Sequence, residues 1–302
     1  MSGFADMAEI ARHDEPMAPH TTFGVGGVVC QFVEPRTVAE LAEVWRWASE
    51  SALPLKVLGR GSNVLVADGH HDWLVVSTAR LDGLTRDGAT VRAGAGVPLA
   101  RLLAAAGAWG LGGLEHLAGI PASVGGAVAM NAGGRGGEIA SRLVGAEVLE
   151  RSGERRWLDR RSLGLRYRGS AVRDGFPLIV EATFALEPDD PRRLSERRRE
   201  FLRAKRASQP LGARSAGCVF KNPEDHSAGK LIDQAGLKGA RVGGAVVSHK
   251  HANFIINRNG ATASDVLELI EVVRRRVHDA FGIELELEIE IWNEGAPEGG
   301  TA

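Results

Sequence analysis

The stretch from Gly94 to Gly137 constrains this chain more than any other, because 13 of the 39 glycines fall there. Within it, "GLEHLAGIPASVGGAVAMNAGG" at 113–134 is built mostly of small residues. A backbone so thinly covered suits close approach, either to another segment or to a flat, phosphorylated ligand. Helical periodicity breaks in once, at "PLARLLAAAGAWG". A second glycine loop, "GRGSN" at 59–63, stands between the strand-like runs "LKVLG" and "VLVA". That order differs from the strand–loop–helix of Rossmann and P-loop phosphate sites. Alone, the pentapeptide is equally well explained as a hairpin turn. Two such loops, each with Ser or Asn beside glycine, together favour a dinucleotide whose pyrophosphate is held by backbone amides.

The remaining pattern is mixed. "TVAELAEVWRWASESALP" reads as a helix, with a capping box from Thr37 and Glu40 and Pro54 as its stop. Strands are expected at "GAEVLE" and "FPLIVEATFAL". The arginine-rich "PRRLSERRREFLRAKRASQP" marks a boundary near residue 190 and reads as a solvated helix face. "TASDVLELIEVVRRRVHDAFG" places Val266, Leu269, Ile270, Val273 and Val277 on one helical face, between a Thr262 N-cap and a Gly282 stop. "IELELEIEIW" alternates strictly, so it reads as one strand with its glutamates on one face. The tail "NEGAPEGGTA" is expected to be disordered. Strands and helices alternate without internal repeats, which gives an α+β architecture.

Composition excludes several classes. A formal net charge of -1 argues against a general nucleic-acid or acidic-membrane binder. No apolar run is long enough to span a bilayer, and the first residues lack a hydrophobic signal core. The default expectation is a soluble, cytoplasmic protein. Cys30 and Cys218 are the two cysteines, too few for a disulfide framework or a cysteine-based zinc site, and no metal is expected.

"TTFGVGG", "VLGRGSNVLVAD", "GIPASVGGAVAMNAGG", "LRYRGS", "SAGCVFKNP", "AGKLIDQAGLKG" and "HANFIIN" follow one another in the order of the UDP-N-acetylenolpyruvoylglucosamine reductase (MurB) family. The chain resembles that family from about residue 20 to residue 292. The resemblance implies a two-subdomain FAD-binding fold of the vanillyl-alcohol-oxidase (PCMH) type, at 1–80 and 81–190, then a C-terminal α+β substrate domain at 191–302. It implies the shorter class of the family, without an inserted substrate loop. Non-covalent FAD, NADPH as co-substrate and UDP-N-acetylglucosamine enolpyruvate as substrate follow, with a monomer as the expected state. The product would be UDP-N-acetylmuramate, a peptidoglycan precursor. The family's flavin contacts carry over to Gly59, Arg60, Gly61, Ser62 and Asn63, and to Gly119, Ile120, Pro121, Ser123, Gly125 and Gly126, with Ala132 and Gly133 as further candidates. His116 is read as a packing or hydrogen-bonding residue rather than a flavin attachment point.

The same resemblance assigns three catalytic residues. Arg168 of "RYRGS" matches an active-site arginine. Hydride from flavin N5 drives negative charge toward the substrate carboxylate and adjacent carbon, and a guanidinium is suited to that charge. Cys218 occupies the family's proton-donor position, often serine. A thiol with an ordinary pKa near 8.5 is a better acid than a hydroxyl. Without the motif, a lone cysteine reads as a small buried hydrophobe. Glu288 aligns with a catalytic glutamate, and Glu286 is its rival two residues away. Asn222, Tyr167 and Lys230 are the candidates for substrate binding, with Lys221 beside them. Ser208 stands where many relatives have lysine, and Lys205 or Arg206 could substitute. His251 is either near the flavin or structural. The competing readings are a flavin oxidase with another substrate, and a nucleotide-sugar binder that has lost its chemistry.

Overall fold

A computed structural model describes residues 11–50, 54–173 and 177–293. The expected disordered tail after Asn293 therefore lies outside the described residues. Two compact units emerge, each assembled from separated stretches of chain. The first combines described residues up to Asp14 with Cys30–Arg60 and Asp72–Ala204. The second combines Glu15–Val29, Gly61–His71 and the chain from Lys205 onward.

In the first unit, the helix Val38–Glu50 starts where Thr37 Oγ1 accepts from the Glu40 amide at 3.1 Å. The Glu40 carboxylate reaches back one residue further than a capping box requires, to the Arg36 amide at 2.7 Å. Leu41, Val44 and Trp45 of this helix are buried with Val33, Leu74 and Val76. The strand Leu55–Leu58 lies parallel to His70–Ser77, pairing Leu58 with Ser77. A five-stranded antiparallel sheet follows, in the order Arg155–Asp159, Leu143–Leu149, Leu178–Ala185, Thr90–Gly94, Leu84–Asp87. Helix Leu99–Ala108 buries Leu99, Leu102, Leu103 and Ala106 in the core under this sheet. Helix Pro191–Ser208 is largely solvated, with Leu194 its one fully buried residue, as its arginine content suggested.

In the second unit, helix Ala263–Phe281 carries the expected Thr262 cap, here a complete capping box with Asp265. It ends on Gly282 at φ 67. Val266, Leu269, Ile270, Val273 and Val277 are all buried, in a core shared with Phe23, Val25 and Leu65. Asp68 caps the same helix from a distant stretch, accepting from the Ala263 and Ser264 amides at 3.0 and 2.8 Å.

The hairpin alternative for "GRGSN" falls away: Leu55–Leu58 pairs with His70–Ser77, whereas Val64–Val66 pairs parallel with Glu290–Trp292. One expectation needs correction, since the C-terminal run is not one strand. Only Glu290–Trp292 is strand; residue 287 makes an isolated bridge to Phe220 and the chain bends at Glu288. Its neighbour over this run is a short loop, which cannot support a continuous ladder. The glutamates consequently diverge, Glu284 and Glu286 being exposed and Glu288 and Glu290 half-buried.

Candidate active site

The first unit holds one group of candidates. Gly59 follows directly on the strand Leu55–Leu58, and a Cβ added there would lie 2.5 Å from Ser123 Oγ. Ser123 is 1% exposed and caps the short helix Val124–Ala129, accepting from the Gly126 amide at 3.4 Å. Gly119, Pro121 and Gly126 are exposed while Ser123, Val124 and Gly125 are buried, so the loop presents bare main chain at its surface. Gly119 sits at φ 81, a conformation few side chains tolerate. These residues fit a dinucleotide: Gly59 borders the second loop where a Cβ would intrude, and unshielded backbone faces outward. His116 is buried, with Nε2 3.4 Å from the Glu138 carbonyl and its ring edge-on to Phe201, in keeping with a packing role.

Arg168 belongs to a tight turn in the same unit. Arg166 and Gly169 exchange backbone hydrogen bonds at 2.9 and 3.1 Å, and Ser170 Oγ donates to the Ala129 carbonyl at 2.7 Å. Arg168 takes φ 54, its guanidinium lies 4.9 Å from the Tyr167 ring centroid, and Nη2 donates to the Gly133 carbonyl at 3.2 Å. Asn131 ties this turn down. It is 2% exposed, and its Nδ2 donates to Glu138 Oε2 at 2.6 Å and to the Arg166 carbonyl at 3.2 Å. Sequence reasoning passed over Asn131 and Glu138; the asparagine of "AMNAGG" was the available signal.

The second unit holds the others. Gly61, at φ 57, is pressed so closely on His20 that a Cβ would overlap the His20 carbonyl oxygen. Asn63 donates from Nδ2 to the Glu288 carbonyl at 3.1 Å and accepts the Glu290 amide on its own carbonyl at 2.8 Å. Its carboxamide therefore braces the C-terminal run as well as standing in the glycine loop. Cys218 is half-buried. The segment after it is held on both edges: Val219 O accepts from the Glu288 amide and Lys221 N–H donates to Glu286 O, each at 2.8 Å. On the other edge Val219 N–H donates to the Asn253 carbonyl, also at 2.8 Å.

Glu286 and Glu288 have different surroundings. Lys221 Nζ pairs with Glu286 Oε2 at 3.0 Å, and the Glu286 side chain is 75% exposed. Glu288 is half-buried and its main chain is fixed to Val219. Asn222 Oδ1 accepts from the Ala228 amide at 3.1 Å, so its Nδ2 is the end with the chemistry for a diphosphate. Lys230 is exposed on helix Ala228–Gln234. Burial, and secondarily the positive charge of Lys238, hold His251 below its ordinary pKa. Its Nδ1 accepts from the Asn253 amide at 3.3 Å, which matches a neutral ring protonated on Nε2. A cavity of about 270 Å3 in this unit, lined by Arg241, His249 and Arg258 among others, includes none of these candidates.

Comparison with known proteins gives a consistent result. A model described as UDP-N-acetylenolpyruvoylglucosamine reductase, C-terminal domain, matches residues 209–292, and one described as FAD binding domain matches residues 30–159. The UDP-N-acetylenolpyruvoylglucosamine reductase of Moorella thermoacetica is 47% identical over 283 residues, covering 93% of each chain. That of Carboxydothermus hydrogenoformans is 42% identical, again over 93% of each. The crystal structure of the reductase from Thermus caldophilus superposes with a TM-score of 0.80 at 39% identity, covering 94% of this chain and all of that one. Among the described residues, no helix is long and apolar enough to cross a membrane.

Proposed function

The chain belongs to the UDP-N-acetylenolpyruvoylglucosamine reductase family, an FAD-dependent oxidoreductase family, and from that premise we propose how its own residues carry out the reaction. The substrate is the enolpyruvyl ether of UDP-N-acetylglucosamine, the product the lactyl ether, and NADPH the reductant, in cell-wall precursor synthesis. FAD, held by the two glycine loops, would supply the two-electron redox chemistry that links NADPH to the enolpyruvyl double bond. The observation that carries the reading is reductase likeness over 93% of the chain.

The protein supplies charge stabilisation, a proton and a grip on the substrate. Arg168 faces the negative charge that builds on the carboxylate and its neighbouring carbon. Its hydrogen bond to Gly133 O and its stacking on Tyr167 support that role, since both limit the guanidinium's freedom. The Cys218 thiol gives its proton to the carbon bearing the ether oxygen. Glu288 is favoured over Glu286 as the catalytic carboxylate, because Glu286 is exposed and paired with Lys221. Asn222, Tyr167 and Lys230 take the sugar nucleotide, and the two glycine loops take FAD. The enzyme works as a cytoplasmic monomer.

The test is spectroscopic. Purified protein should be yellow, bleach anaerobically with NADPH, and recolour when the enolpyruvyl nucleotide is added, yielding a product two hydrogens heavier. Bleaching without recolouring would overturn the reductase reading.

A further inference from the structure

We infer that Asn253 is a positioning residue for the Cys218 proton donor, acting by clasping the peptide two residues along the chain. This rests on the assignment of Cys218 above. Asn253 is 3% exposed, and both ends of its carboxamide are hydrogen-bonded. Its Oδ1 accepts from the Phe220 amide at 3.0 Å and its Nδ2 donates to the Phe220 carbonyl at 2.8 Å. Its own carbonyl accepts from the Val219 amide at 2.8 Å. One asparagine thus supplies the pairing that a neighbouring strand would ordinarily give to Val219 and Phe220.

The arrangement has a purpose that stability alone does not require. Cys218 lies in "SAGCVFKNP", between Gly217 at φ 83 and the clasped pair, so glycine freedom on one side is matched by fixation on the other. The opposite edge of the pair is pinned by the Glu286–Glu288 run. With both edges fixed, the register of Val219 sets where the thiol sits relative to the main chain of Glu288. Phe220 is 1% exposed, so losing the carboxamide would strand its amide and carbonyl, and the loop would move to satisfy them. Proton transfer is sensitive to such a shift, because a misplacement of about 1 Å costs roughly 100-fold.

The experiment separates the two half-reactions in the FAD-loaded enzyme. In Asn253→Ala, bleaching by NADPH should stay within about twofold of wild type, while recolouring by the enolpyruvyl nucleotide slows about 100-fold with little change in its KM. The double variant Cys218→Ala, Asn253→Ala should be no slower than Cys218→Ala alone, since a positioned group that is absent cannot be mispositioned. Wild-type recolouring in Asn253→Ala, or equal loss in both half-reactions, would overturn the inference. Should Asn253→Ala fail to retain FAD, Asn253→Asp decides. Its protonated carboxyl reproduces both hydrogen bonds, so recolouring relative to wild type should recover as pH falls, and a pH-independent ratio would overturn the inference. If Cys218→Ala itself recolours at the wild-type rate, the donor assignment fails; if it is slow and Asn253→Ala fast, only the positioning role fails.

Discussion

The Glu288 amide donates to the Val219 carbonyl at 2.8 Å, which fixes a candidate catalytic carboxylate to the residue next to the candidate thiol. The main chains of Val219 and Glu288 are thereby coupled, so the candidate thiol and the candidate carboxylate beside them move together when the C-terminal run moves. Substitutions that change side-chain chemistry should leave this scaffold standing, so their effects report function.

Cys218 provides the most direct case. Cys218→Ala should bleach normally with NADPH and recolour about 100-fold more slowly. Cys218→Ser should retain much of the activity, because a hydroxyl can still deliver a proton, and should resist alkylating agents. Stopped-flow traces of both half-reactions check this, and equal losses in the two variants would count against proton donation.

Arg168 tests charge stabilisation. Arg168→Lys keeps the charge but loses the planar fork that reaches Gly133 O and stacks on Tyr167. Recolouring should fall about 100-fold at unchanged FAD content. Normal recolouring would show that only net charge matters there.

Gly59 tests the flavin cradle. Gly59→Ala places a methyl 2.5 Å from Ser123 Oγ. The hydroxyl must then rotate away from the Gly126 amide it caps. FAD affinity should weaken by about tenfold, one lost hydrogen bond's worth. Adding Ser123→Ala should weaken it little further, because the hydrogen bond that the second change removes is already lost. Titration of apoprotein with FAD measures both, and identical affinities for Gly59→Ala and wild type would rule out the contact.

Asp68 and His251 each give a prediction for the acid side of the stability profile. Burial raises the Asp68 pKa, but hydrogen bonds from Ser264 and Ala263 outweigh it and hold the carboxyl below its usual range. Its stabilisation is therefore present above the unfolded value near 3.9 and lost as pH falls through the folded one. Asp68→Asn should cost about 1 kcal/mol at neutral pH, the value of a helix cap, with the gap closing in acid. His251 works at higher pH. Its folded pKa is depressed, so below about pH 6.5 the unfolded state takes up the proton more readily and stability declines. His251→Gln should flatten melting temperature between roughly pH 7 and pH 5. A slope as steep as wild type would assign the loss elsewhere.

Sequence periodicity was sufficient for the long helices. The stripe from Val266 to Val277 needed only the 3.6-residue repeat, and its Thr262 and Gly282 ends needed only cap chemistry. Alternation misled at "IELELEIEIW", because a period of two reports extended backbone and says nothing of what lies beside it. At "GRGSN" periodicity left a hairpin open for the same reason: which strands pair is set by segments far off in the chain. Family motifs pointed to Arg168 and Cys218, and alignment of the C-terminal run pointed to Glu288. Their buried supports, Asn131 and Asn253, escaped notice because a polar residue inside a glycine-rich or apolar motif reads as a ligand contact or a turn, and its partners are invisible in one dimension.

Among the described residues, the strand Val64–Val66 pairs with one strand, Glu290–Trp292, almost at the end of the described chain. During synthesis, Leu65 and its flanking valines leave the ribosome long before the segment that covers them is made. Closure of this core must therefore wait until Glu290–Trp292 has been made, and a nascent chain stalled before Glu290 would display an unpaired strand edge to chaperones.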